Sequence, residues 1–174
     1  MVDEELIKRF KNGDTDAFEV LYNRHVSAVY RYIRFRVHSD ADAEELASDV
    51  FTRAWKALPN YKWTGVPFKA WLFRIAYNLI VDRSRPKKFT FTSLSNWIRS
   101  NGHYEYNQIE DQDVITRAFG SLSYEEQLIL YLSFYESYTN KEVAETIGKS
   151  VSATGTAKFR ALKHLSKVLG TANA

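Results

Sequence analysis

Apolar residues recur at i, i+3, i+4 and i+7 through most of this chain, and only 3 Pro and 7 Gly interrupt its 174 residues. That period puts apolar side chains on one stripe of an α-helix, and so few breakers allow long helices. An all-α protein is predicted. The periodicity lapses once, between Pro86 and Gln112 (PKKFTFTSLSNWIRSNGHYEYNQIEDQ), where Ser, Thr, Asn and Gly accumulate. A stretch of that length is too long for a connection inside a compact domain and reads as a flexible linker. Two small helical domains are therefore expected, 1–86 and 113–174, joined by residues 87–112. With 45% hydrophobic and 15% aromatic residues, the chain has apolar surface enough to fold.

The first domain is predicted as a three- or four-helix module with three long helices. Asp14 or Thr15 caps one that runs to about Val37, with Phe18, Leu21, Tyr22, Val29, Tyr30 and Ile33 on its buried stripe. Ser39 or Asp40 caps the next, which ends near Leu58, before Pro59. After the loop PNYKWTGVP a third covers about Phe68 to Arg85, and Pro86 terminates it. In the second domain a short helix is expected at about 113–119, followed by Ser123–Tyr135, Thr139–Ile147 and Ser150–Leu169. Gly148 sits where a C-cap turn needs positive φ, so the last pair reads as a helix-turn-helix.

The absence of cysteine excludes a disulfide framework, a Cys-ligated zinc site and thiol catalysis. His25, His38, His103 and His164 are scattered without metal-ligand spacing, and no Gly-rich phosphate loop occurs. No catalytic site, metal or cofactor is expected, and the chain is not read as an enzyme. The start, MVDEELIKRFKNGD, has no apolar h-region, and nowhere do 18 apolar residues run together. A cytoplasmic protein with no membrane span is expected, with no further domain after residue 174.

Net charge is only +3, yet residues 40–49 are acidic while 83–88 and 158–167 are basic, which suggests two kinds of partner. Projected at roughly 100° per residue, the helix at 42–58 separates an apolar arc (Leu46, Val50, Ala54, Ala57, Leu58) from a polar one (Glu45, Ser48, Asp49, Thr52, Lys56). The polar arc is either solvated surface or an acidic docking face. On the helix at 68–85, Leu72, Ile75, Ala76, Leu79 and Ile80 lie apart from a stripe of Trp71, Arg74, Asn78, Asp82 and Arg85. Guanidinium groups beside aromatics suit single-stranded DNA, where cations neutralise phosphates and rings stack on unpaired bases. The preceding loop adds Tyr61, Lys62, Trp63 and Phe68. On the last helix Val151, Thr154, Ala157, Ala161, Leu165 and Val168 project inward. Ser152, Thr156, Phe159, Arg160, Lys163 and Lys167 project outward, as a major-groove helix requires.

Three linked motifs, DAFEVLYNRHVSAVYRYI, DADAEELASDVFTRAWKAL and FKAWLFRIAYNLIVDRSR, resemble region 2 of the extracytoplasmic-function (ECF) subfamily of bacterial sigma-70-type RNA polymerase sigma factors. LSYEEQLILYLSFYESYTNKEVAETIGKSVSATGTAKFRALKHL resembles region 4, with its closing Arg-Ala pair at Arg160-Ala161. The resemblance implies a promoter-specific transcription initiation factor that binds core RNA polymerase at the clamp helices of the largest subunit and at the flap. It implies promoter DNA as a second partner and an anti-sigma factor as a third. Docking on core falls to Glu45, Leu46, Ser48, Asp49, Arg53 and Lys56. Capture of the melted minus-ten strand falls to Lys62, Trp63, Phe68, Trp71, Arg74, Asn78 and Arg85, and minus-thirty-five contact to Ser152, Thr156, Phe159, Arg160 and Lys163. One departure is Gly155, where the family commonly has Lys or Arg; Ala157 replaces another frequent Arg. These changes imply a minus-thirty-five readout that is weakened or directed to an atypical sequence. A helix-turn-helix regulator that binds duplex operators without polymerase is the alternative, although it leaves the first domain without a role.

Overall fold

Helix α1 (Asp3–Lys11) opens with Asp3, Glu4 and Glu5 and closes with Lys8, Arg9 and Lys11, charges that complement the helix dipole at both ends. The computed structural model describes residues 2–34, 36–37, 39–84 and 118–172. The expected linker, Arg85 and most of the short helix expected at 113–119 lie outside the described residues. The chain divides into two units, Met1–Lys87 and Lys88–Ala174, and no strand occurs among the described residues.

The first unit holds α1, α2 (Asp16–Arg34), α3 (Asp40–Ala57), a 3-10 turn at Leu58–Asn60, and α4 (Phe68–Ser84). Ser39 is the cap of α3: its side chain accepts from the Asp42 amide at 3.1 Å and donates to the Asp42 carboxylate at 2.7 Å. Helix α2 stops three residues before the expected Val37. Beyond it the buried Arg36 folds back, donates to the Tyr32 carbonyl at 2.8 Å and lies 3.9 Å over that residue's ring. This supplies one of the orphan carbonyls of a helix end with a donor. Leu6, Leu21, Ile33, Leu46, Leu58, Phe68, Leu72, Phe73 and Ile80 fill the core between the four helices.

Helix α1, which the periodicity analysis passes over, packs Leu6, Ile7 and Phe10 inward. Asp3 ties it to α2, accepting from Arg24 and meeting His25 Nε2 at 2.8 Å. Burial pushes the His25 imidazole below the ordinary histidine value, and the Asp3 carboxylate pulls it only part of the way back.

The second unit contains α5 (Tyr124–Leu130), which runs on into a π-helical turn at Tyr131–Tyr135, then α6 (Asn140–Ile147) and α7 (Val151–Ala172). Capping boxes open both α5 and α6. Ser123 exchanges hydrogen bonds with Glu126, and Thr139 with Glu142. Gly148 closes α6 at φ 72° and ψ 36°, the left-handed region that glycine enters without penalty. Ser150 caps α7 by accepting from the Ala153 amide at 3.1 Å. Leu122, Leu128, Ile129, Leu130, Leu132, Val143 and Ala161 form the core. Val151, expected to pack inward, is 50% exposed in the first turn of α7.

Candidate nucleic-acid and protein interfaces

Three surfaces carry the candidate residues, two on the first unit and one on the second. On α3, Glu45, Ser48, Asp49, Arg53 and Lys56 are all exposed, because the helix buries Ala43, Leu46, Ala47, Val50, Phe51 and Ala54 on its other side. Leu46 is corrected by this arrangement: at 2% exposure it is core and offers no side chain to a partner. Glu45 is engaged within the chain, accepting from Arg83 of α4 at 2.8 Å, while Asp42 shares the same guanidinium at 3.3 Å. The Glu45 carboxylate raises the Arg83 guanidinium above its ordinary value.

Beside that face lies a groove of about 370 Å³, lined by Phe18, Tyr22, Phe51 and Trp55 with Ser48, Thr52 and Lys56 at its rim. Its aromatics pack edge-on, Phe18 to Trp55 at 4.9 Å and Tyr22 to Phe51 at 4.7 Å between centroids, and Phe10 of α1 meets Trp55 from behind at 4.8 Å. Tyr22, expected on the buried stripe, is 39% exposed and Trp55 is 41% exposed. A helical projection ranks positions by direction, and at this edge of α2 the neighbouring helix covers only part of the ring. The groove exists only where α2 and α3 pack together, so no single helix carries its pattern.

The second surface joins the loop after the 3-10 turn to α4. Lys62, Arg74 and Asn78 are exposed, and Trp63 and Trp71 are half-buried. Arg74, Asn78 and Asp82 follow Trp71 along one face of α4, as the spacing requires. Tyr61 lies 4.7 Å from Trp71, and Phe68 lies 5.3 Å from it. Phe68 itself is a correction. It is wholly buried at the start of α4, 5.7 Å from the His25 ring, so it serves as the floor under Trp71 and not as a contact for a base.

The third surface is α7. Ser152, Thr156, Phe159, Arg160 and Lys163 are exposed, with Phe159 at 67%. Thr154 and Ala161 face the core. Lys158 is turned toward the body of the unit: its ammonium lies 4.9 Å over the Phe134 ring and 3.5 Å from Asn140 Oδ1. Lys149, in the turn before α7, pairs with Glu125 of α5 at 2.5 Å. Among the described residues no group of His, Asp and Glu side chains is arranged to hold a metal ion. No helix among them is long and apolar enough to cross a membrane.

The family model for sigma-70 region 2 matches residues 21–90 and that for sigma-70 region 4 matches residues 112–165, between them more than half of the chain. The ECF RNA polymerase sigma factor BldN of Streptomyces coelicolor is 30% identical over 95% of this chain, which spans 65% of BldN's length. SigL of Mycobacterium tuberculosis, also named an ECF sigma factor, is 29% identical over 80% of each chain. The chain belongs to the ECF subfamily of sigma-70 factors. Its fold resembles that of CnrH, solved in complex with the cytosolic domain of CnrY, with a TM-score of 0.71, 25% identity and 97% coverage of both chains. The sigma factor RpoE of Bartonella quintana, solved with the anti-sigma factor NepR, shares the fold at a TM-score of 0.63 and 18% identity. The α3 face, the groove and the α4 face thus all fall in region 2 of this ECF factor, and α7 falls in region 4.

Proposed function

We propose that this ECF sigma factor binds core RNA polymerase through α3 and the adjoining aromatic groove, and directs it to promoters by contacts from α4 and α7. The observation that carries the reading is that the region 2 unit presents two chemically different surfaces. One has acids and exposed aromatics, and the other has Trp71 flanked by Lys62, Arg74 and Asn78. Tyr and Trp in a partly desolvated groove, rimmed by charge, are the residue types that dominate protein docking energetics. A ring with cations and an amide along one helix face suits an unpaired, phosphate-bearing strand.

Melting then needs no chemistry from the chain. It needs a surface that binds an unstacked base strongly enough to offset the few kcal/mol that unpairing costs. The protein acts in the cytoplasm, catalyses no reaction, and contributes region 4 contacts to the polymerase flap and to the minus-thirty-five duplex. In this reading an anti-sigma factor is a further partner of the chain.

The test is a core-polymerase pull-down with Asp49→Arg and Trp55→Ala. Each is expected to weaken the complex by about 30-fold, the loss typical of a docking hot spot, while circular dichroism stays helical. Full retention by both variants would overturn the docking surface. Arg74→Ala and Asn78→Ala are expected to impair open-complex formation more than closed-complex binding; equal loss in the two assays would remove the single-strand role from α4.

A further inference from the structure

Gly155 stands in the second turn of α7, partly exposed, and nothing among the described residues asks for a glycine there. A Cβ built at this position meets no atom within 4 Å, and the backbone does not take the positive φ found at Gly13, Gly65 and Gly148. Glycine inside a helix is unfavourable relative to alanine, so a position that keeps it without a packing or backbone reason points to something outside the chain. Close approach of another molecule to the main chain is such a reason.

The neighbouring groups say what chemistry would approach. Ser152, Thr156, Phe159 and Lys163 follow one another at helical spacing along the exposed arc. The Thr156 hydroxyl donates to the Ser152 carbonyl at 3.0 Å, so its hydrogen is used within the helix and its methyl group is left for a partner. Phe159 extends the same apolar strip, 67% exposed. Lys158 is drawn away to Phe134 and Asn140, so the first two turns direct no cation outward. The outward cations, Arg160 and Lys163, come a turn later. In the major groove guanine is read by Arg or Lys, whereas the thymine methyl is read by apolar groups such as the Thr methyl and the Phe ring.

We infer that the N-terminal half of α7 reads thymine methyl groups in the upstream promoter duplex, with Thr156 and Phe159 in contact and Gly155 as the point of closest main-chain approach. This rests on the reading of α7 as the major-groove helix. Arg160 and Lys163 then hold phosphates behind the reading surface.

The experiment takes promoters enriched by holoenzyme reconstituted with this full chain, and replaces the thymines of the upstream element by deoxyuridine, which removes the methyl alone. Affinity is expected to fall about fourfold for each methyl in contact, the value of one buried methyl group. Phe159→Ala should narrow the difference between the two duplexes, and Phe159→Ala combined with Thr156→Ser should bind them alike. Gly155→Ala should raise the unfolding temperature and still weaken upstream binding, a pair of effects that a structural role cannot produce. If Arg160→Ala weakens upstream binding while deoxyuridine is bound as well as thymine, thymine reading is overturned and the major-groove assignment stands. If neither Arg160→Ala nor Lys163→Ala alters the upstream footprint, the assignment itself falls and takes this inference with it. An enriched pool whose upstream element lacks thymine would overturn it as well.

Discussion

Ser137 carries the one positive φ of any described residue other than glycine, 56°, in the turn between the π segment and α6. A left-handed backbone costs an L side chain roughly 1–2 kcal/mol, and glycine avoids that cost. Part of the gain is returned through the freer unfolded chain, so Ser137→Gly is expected to stabilise by about 0.5 kcal/mol. A thermal melt should show this as a rise of about 1–3 °C. His25 makes a second prediction. Its folded pKa lies below the unfolded one, so the unfolded chain binds the proton first, and stability declines as pH falls from about 6.5 toward the folded value. Asp14 and Asp40, lowered by Arg9 and Arg34, lose their contributions only below the ordinary carboxylate range. Urea unfolding at pH 7.5 and 5.5 should therefore show a loss that His25→Gln reduces. At this scale the sequence was legible as direction and not as depth. Arg74, Asn78, Thr156 and Arg160 point outward as projected. Leu46 and Phe68 were assigned to partner-facing surfaces yet are buried, because a helical wheel cannot say how far a neighbouring element reaches across an arc.

At the scale of elements, the helix starts expected at Ser123 and Thr139 agree with the structure, which opens each with a capping box that the sequence reading did not name. Thr139 with Glu142 and Ser123 with Glu126 stand at the spacing of a capping box, and both boxes form. Thr139→Ala and Ser123→Ala should each cost about 1 kcal/mol, measurable by urea unfolding. Helix α1 was missed although Leu6, Ile7 and Phe10 have helical spacing, because nine residues give too short a window for periodicity to outweigh its many charges. The π turn was missed as well. Its single extra residue carries no local signature; Phe134 within it is 61% exposed, and Lys158 lies over the ring. For α7, the cations predict a measurable salt response. Arg160→Ala and Lys163→Ala should each lower the slope of log affinity against log salt for promoter DNA by about 1.

For the molecule as a whole, the break in periodicity and the two linked sets of motifs were enough to read a helical protein of two modules and its family. The groove between α2 and α3 was not readable, since it exists only once two helices distant in sequence are packed. Function depends on the modules serving one assembly. The chain alone is accordingly expected to protect promoter duplex poorly in a footprint and to protect it strongly with core polymerase; tight protection by the chain alone would favour the operator-binding alternative.

Gly148 shows how little material can govern such an arrangement. It turns the main chain through φ 72° between α6 and α7, a path that any β-carbon resists. The heading of the final helix is therefore written into the backbone at one atomless corner. A bulkier residue there would leave both rods intact while mis-aiming the second, and the fault would surface as lost promoter choice in a protein whose helical content looks normal.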